Sequence, residues 1–188
     1  MSPRPSARGS MLDAFERLVV ATGERSATFD ATAAEAGVSK GGLLYHFPSR
    51  EALVDGLVDR LGALLDADVA AMTSAPDGVV DYVLRTSSPS AIPADDPLDR
   101  CITAVAGLAA SGLWPRAASA LASMQQRWHD VVLDEVGDPA VAQVVSLVSD
   151  GLYFTPGQFS SDGSGSPDPA RPRASLDEVI ALLRGLGR

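Results

Sequence analysis

The chain has 188 residues, 46% of them hydrophobic and 5% aromatic, and a formal net charge of −9. That length and apolar content suffice for one or two domains with real cores and favour a globular helical chain over a disordered one. A single cysteine, Cys101, excludes an internal disulfide and a cysteine-based zinc cluster, in keeping with a reducing cytoplasm, and no uncharged apolar run approaches the ~18 residues of a membrane span.

The acidity is unevenly spread. Residues 1–50 carry six basic groups (Arg4, Arg8, Arg17, Arg25, Lys40 and Arg50) against five acidic ones, whereas the remainder carries nine against nineteen. A polyanion would meet the least repulsion at the N-terminal end, and the acidic body would suppress indiscriminate binding. The first apolar stretch, Met11 to Val20, is interrupted by Asp13, Glu16 and Arg17, so it does not read as a signal peptide.

Residues 1–9, with two prolines, two arginines and no acid, read as a flexible tail, either simply solvated or able to lay an arginine into a minor groove. Ser10 is expected to cap a first helix running to Gly23, with Leu12, Phe15, Leu18 and Val19 on one face. Thr28 is expected to cap the next, from Phe29 to Ala36, in a position where a hydroxyl also meets phosphate. Gly37 permits the positive φ that ends this helix, Ser39 caps a third, and Pro48 stops it. Two short helices across a tight glycine turn are what a helix-turn-helix requires. Val38, Leu43 and Phe47 fall at helical spacing for anchoring inward, leaving Lys40, Gly41, Gly42, Tyr45 and His46 to face outward.

The run from Ala33 to Leu53, AAEAGVSKGGLLYHFPSREAL, resembles the signature of the tetracycline-repressor-like (TetR/AcrR) transcriptional regulators. The resemblance covers about the first third of the chain. It implies an all-α fold in which an N-terminal helix-turn-helix domain (10–48) is joined by a long helix to a helical effector-binding and dimerisation domain (49–188). It also implies contacts to double-stranded operator DNA from Thr28, Ser39, Lys40, Gly41, Gly42, Leu44, Tyr45, His46 and Arg50, with Tyr45 and His46 on phosphate. Four positions depart from the family pattern, one of them Thr32, which stands where a larger aliphatic residue is frequent. Asp30 stands where an arginine is frequent, Gly42 replaces a Thr or Ser, and Leu44 replaces a tyrosine, so that it can touch a thymine methyl but cannot bond a base edge. An acid at position 30 would repel phosphate, so the second helix is expected to contribute little beyond its N-terminus. Lys40, the only lysine, is expected to contact phosphate or guanine.

From Ser49 to Met72 the helical pattern runs without proline, about 24 residues and roughly 36 Å at helical rise. Further helical segments are expected over 77–87, 95–111, 116–136 and 139–154, the last begun by Pro139 after Asp138. Residues 155–174, rich in Gly, Ser, Pro and Asp, read as a flexible linker, and 176–186 as a terminal helix. In the middle segments Met72, Tyr82, Ile102, Trp114, Met124, Trp128 and Phe154 sit among small residues, a composition that suits either an apolar effector pocket or a plain core. Val141, Val144, Val145, Val148 and Leu152 of one helix, and Val179, Ile180 and Leu183 of the last, form apolar stripes. The resemblance assigns them to a homodimer interface, and completion of the monomer core is the alternative.

Enzyme signatures are scarce: no metalloprotease helix motif, no P-loop, and two histidines far apart in sequence. No catalytic residue, metal or cofactor is expected. The reading is a cytoplasmic homodimeric regulator, released from a palindromic operator by a small apolar or aromatic effector. The alternative is a small-molecule-binding protein whose DNA unit is weak or vestigial.

Overall fold

The computed structural model describes residues 6–88, 92, 93, 95–154 and 174–186; the linker expected over 155–174 falls almost wholly outside them. Among the described residues there are nine helices and no strand: α1 (Ala7–Thr22), α2 (Phe29–Glu35), α3 (Lys40–His46), α4 (Arg50–Thr73), α5 (Val79–Thr86), α6 (Pro97–Ala110), α7 (Pro115–Val136), α8 (Pro139–Phe154) and α9 (Leu176–Leu186). They fall into two compact units, Met1–Asp66 with Asp95–Met124, and Ala67–Ala94 with Gln125–Arg188. This division differs from the single cut at residue 48. The reason is packing: α6 and the start of α7, distant in sequence, join the helix-turn-helix helices.

In the first unit Phe15, Leu43, Phe47, Leu53 and Leu57 are fully buried and tie α1, α3 and α4 together. Gly56 allows the close approach, since a Cβ there would lie 3.1 Å from Leu12 Cδ1 and 3.2 Å from Phe47 Cε1. α6 packs on α1 and α4, with the Cys101 thiol 3.6 Å from the Leu57 carbonyl. Glu16, buried on α1, is neutralised from two sides, by Arg60 of α4 at 2.7 Å and Arg100 of α6 at 3.1 Å. A carboxylate out of water is tolerated only when paired and hydrogen-bonded in this way.

α1 begins a turn earlier than the expected cap at Ser10. Ser6 accepts from the Gly9 amide at 3.0 Å, while the Ser10 hydroxyl bonds back to the Ser6 carbonyl at 3.4 Å. Ser10 therefore lies inside the helix.

The second unit is built on a core from five helices: Met72 of α4, Val80 and Leu84 of α5, Val132 of α7, Val145 and Leu152 of α8, and Ile180 and Leu183 of α9. Gly78 offers no side chain to cap α5. The Glu135 carboxylate of α7 does so instead, accepting from the Val79 and Val80 amides at 2.7 and 3.2 Å. α9 opens with a capping box in which Ser175 and Glu178 bond each other's backbone amides, holding the Glu178 carboxyl below its usual pKa. It is tied to α5 by Arg85, which pairs with Asp177 at 2.7 Å and with Asp81 at 2.9 Å.

Candidate nucleic-acid interface

The α2–turn–α3 pair forms as its side chains dictate. Thr28 accepts from the Ala31 amide at 3.2 Å and Ser39 from the Gly42 amide at 3.1 Å, so both hydroxyls cap helix N-termini and remain exposed. Gly37 takes φ +68°, and the Val38 amide donates to the Ala33 carbonyl at 3.0 Å, closing the turn. Leu43 and Phe47 are wholly buried and anchor α3 by one face. Its other face carries Lys40, Gly41, Leu44 (42% exposed) and Tyr45 (85% exposed), with Gly42 and His46 partly buried at the margin. The His46 ring meets Tyr45 edge-on, their centroids 5.1 Å apart.

Neither glycine of α3 is required by the protein's own packing. A Cβ at Gly41 would have nothing nearer than Ser39 Oγ at 4.0 Å, and one at Gly42 would make only ordinary contact at 3.4 Å. Two glycines in a seven-residue helix cost roughly 1 kcal/mol each relative to alanine. The surface they leave is flat and open.

Two cations assigned to this surface are otherwise engaged. Lys40 Nζ lies 2.8 Å from Asp30 Oδ1, so the acid of α2 faces the first residue of α3 and neutralises it. Arg50 turns inward: it pairs with the buried Glu24 at 2.9 Å, bonds the Glu24 carbonyl, and sits 5.6 Å from the Trp114 ring centroid. Its Nε is buried without a hydrogen-bond partner among the described residues. Arg50 is part of the scaffold here, not of the outer face. Arg17 is likewise paired, with Glu35 at 3.0 Å, while Arg8 lies over the Phe47 ring at 4.6 Å.

The residues proposed for an effector pocket are divided. Ile102, Trp114 and Met124 belong to the first unit, where Ile102 and Met124 are buried and the Trp114 indole donates to Glu24 at 3.2 Å. Met72, Tyr82 and Trp128 belong to the second. There Tyr82 and Trp128 converge on one carboxylate, Asp68, which the sequence reading did not single out. The Phe154 side chain lies outside the described residues.

The stripes assigned to a dimer interface are mostly inside the protomer. Val145, Leu152, Ile180 and Leu183 are buried in the second unit, and Val141, Val148 and Val179 pack against them. Only Val144 of that set is exposed. The outward apolar residues are Val144 and Leu147 on α8 and Leu182 and Leu186 on α9. The last three were missed because the inward stripe, being longer, dominates the periodicity.

Residues 11–57 match the family model described as bacterial regulatory proteins, tetR family. No curated protein is significantly similar in sequence. Solved structures share the fold over nearly the whole chain. A transcriptional regulator from Rhodococcus sp. Rha1 is 21% identical, with 96% of this chain and 95% of that one covered at a TM-score of 0.59. The multidrug binding protein EbrR, solved with imidazole, is 19% identical over 97% and 96%, at 0.60. A candidate transcriptional regulator from Saccharomonospora viridis, in complex with choline, is 18% identical over 95% and 94%, at 0.61.

Proposed function

We propose, from the premise that residues 11–57 are a tetR-family domain of bacterial regulatory proteins, that the chain is a ligand-responsive transcriptional regulator, acting in the cytoplasm as a repressor on a palindromic operator. The observation that carries the reading is the outer face of α3. Lys40, Gly41, Gly42, Leu44 and Tyr45 form a rim of one cationic side chain with small, apolar and hydroxyl groups on a helix anchored by buried Leu43 and Phe47. The glycines admit close approach to a major groove, Leu44 suits a thymine methyl, and Tyr45 and His46 reach phosphate. Thr28 and Ser39 offer their helix N-termini to the backbone on either side. Arg50 serves indirectly, by holding the start of α4 to Glu24.

A second copy of the chain covers the outward apolar positions of α8 and α9, Val144, Leu147, Leu182 and Leu186. Two-fold symmetry then repeats α3 about 34–36 Å away, one turn of duplex. The second unit takes the effector, with Tyr82 and Trp128 in its wall. An effector preferring the non-binding conformation by about a hundred-fold shifts the equilibrium by roughly 2.7 kcal/mol.

The experiment is selection of bound fragments from a random DNA pool with the full chain, followed by titration of the selected sequence over a salt series. A palindromic consensus and a steep salt dependence are expected. Binding without sequence preference would overturn the reading. A second reading, a small-molecule-binding protein with weak DNA affinity, is favoured by Lys40 and Arg50 both being held by acids; it predicts no enriched sequence.

A further inference from the structure

In the second unit one partly buried carboxylate is bonded by two aromatic side chains. Asp68, partly buried on α4, accepts the Tyr82 hydroxyl of α5 on Oδ1 at 2.9 Å and the Trp128 indole N–H of α7 on Oδ2 at 2.8 Å. The fully buried acids, Glu16, Glu24 and Asp81, each pair with an arginine. Asp68 has no basic partner among the described residues. Two neutral hydrogen bonds fill about half of the lone-pair sites of a carboxylate and leave its charge uncompensated. A partly desolvated, uncompensated anion is costly, and a cation is what relieves it.

The donors matter as much as the charge. Both belong to aromatic rings, and both are tethered by their polar edges to the same carboxylate. Indole and phenol faces attract cations, indole most strongly, so a cation held by Asp68 would have π systems within reach as well as the anion. Met72, one helical turn beyond Asp68 and buried in the adjoining core, adds a polarisable thioether. The net charge of −9 raises the local concentration of cations further. A purely apolar ligand, as expected from composition, would leave the Asp68 charge unanswered.

We propose that Asp68, Trp128 and Tyr82 form the recognition corner for an organic cation, an alkylammonium or quaternary ammonium group, and that it receives the head of the effector. The inference rests on the proposed effector role of the second unit and names its ligand class. The test uses the full chain with the Trp114→Phe substitution, so that Trp128 is the only indole reporting. Choline is titrated against its neutral carbon isostere, dimethylbutanol, by fluorescence and calorimetry. Choline is expected to bind about tenfold or more tightly than the isostere. Asp68→Asn, which keeps the shape and one acceptor, is expected to abolish that discrimination by bringing choline down to the level of the isostere. Equal binding of the two probes, binding of neither, or full discrimination surviving in Asp68→Asn would each overturn the proposal. Because no DNA is present, these failures are distinct from failure of the regulator reading. That reading is tested by adding selected operator to the choline-bound protein: unchanged DNA affinity would count against the effector role while the cation site stands.

Discussion

Asp30→Asn is the most informative single change. Asp30 and Lys40 pair at 2.8 Å with side chains 72% and 59% exposed, so the pair is worth only about 0.2–1 kcal/mol in the free protein. For Lys40 to meet a phosphate that pair must break, and the acid is then left beside the duplex. Removing the acid spares each half-site at least the cost of breaking the pair, a factor of about 1.4 to 5 in affinity. Over two half-sites this compounds to about two- to thirty-fold tighter operator binding. If Lys40 gains one phosphate per half-site, the log–log salt slope steepens by about 1.8. Stability should fall by less than about 1 kcal/mol, from loss of the pair and of a favourable charge at the α2 N-terminus. Fluorescence anisotropy on a labelled operator across a salt series reads both quantities. Unchanged affinity with an unchanged slope would show that Lys40 does not face DNA, and the argument for the α3 surface would fail with it.

Other substitutions separate fold from function. Gly41→Ala, with open space around the new methyl, should stabilise the protein by about 0.5–1 kcal/mol in chemical denaturation yet weaken operator binding by about tenfold or more; gain in both would refute close approach at Gly41. Leu147→Glu should yield a folded monomer by analytical ultracentrifugation with operator binding lost, whereas Val145→Glu, in the core, should fail to fold. Trp114→Phe removes one donor to the buried Glu24 and should cost about 1–2 kcal/mol of stability with the secondary structure intact. Burial pushes the Cys101 thiol up to about 12. Its folded pKa lies above the unfolded value near 8.5, so the associated stability is complete below that pH and drains away between there and about 12. At about pH 8 the native thiol should resist an aromatic disulfide reagent and react only as the chain unfolds.

The turn chemistry of the α2–turn–α3 pair was legible because it is local. A serine, threonine or glycine acts on amides two to four residues away, so Thr28, Gly37 and Ser39 could be assigned without knowing what packs against them, and Leu43 and Phe47 follow from spacing on a single helix. The start of α1 was misplaced because Ser6 and Ser10 offer equivalent local signals. Charge partners were not legible. Asp30 and Lys40, Arg50 and Glu24, and Glu24 and Trp114 are brought together only by packing of separate helices.

Sequence alone determined that the chain is helical and where the short helices α2 and α3 cap, since these depend on backbone propensity and on side chains within one element. Tertiary structure decided everything that depends on what lies opposite. It turned Arg50 from a DNA contact into a strut, gave Val145, Ile180 and Leu183 to the protomer core, and gathered Tyr82 and Trp128 on Asp68. A periodic stripe records that a face is buried, but the partner burying it, and the sign of the charge beside a polar group, are set by residues up to 92 positions away.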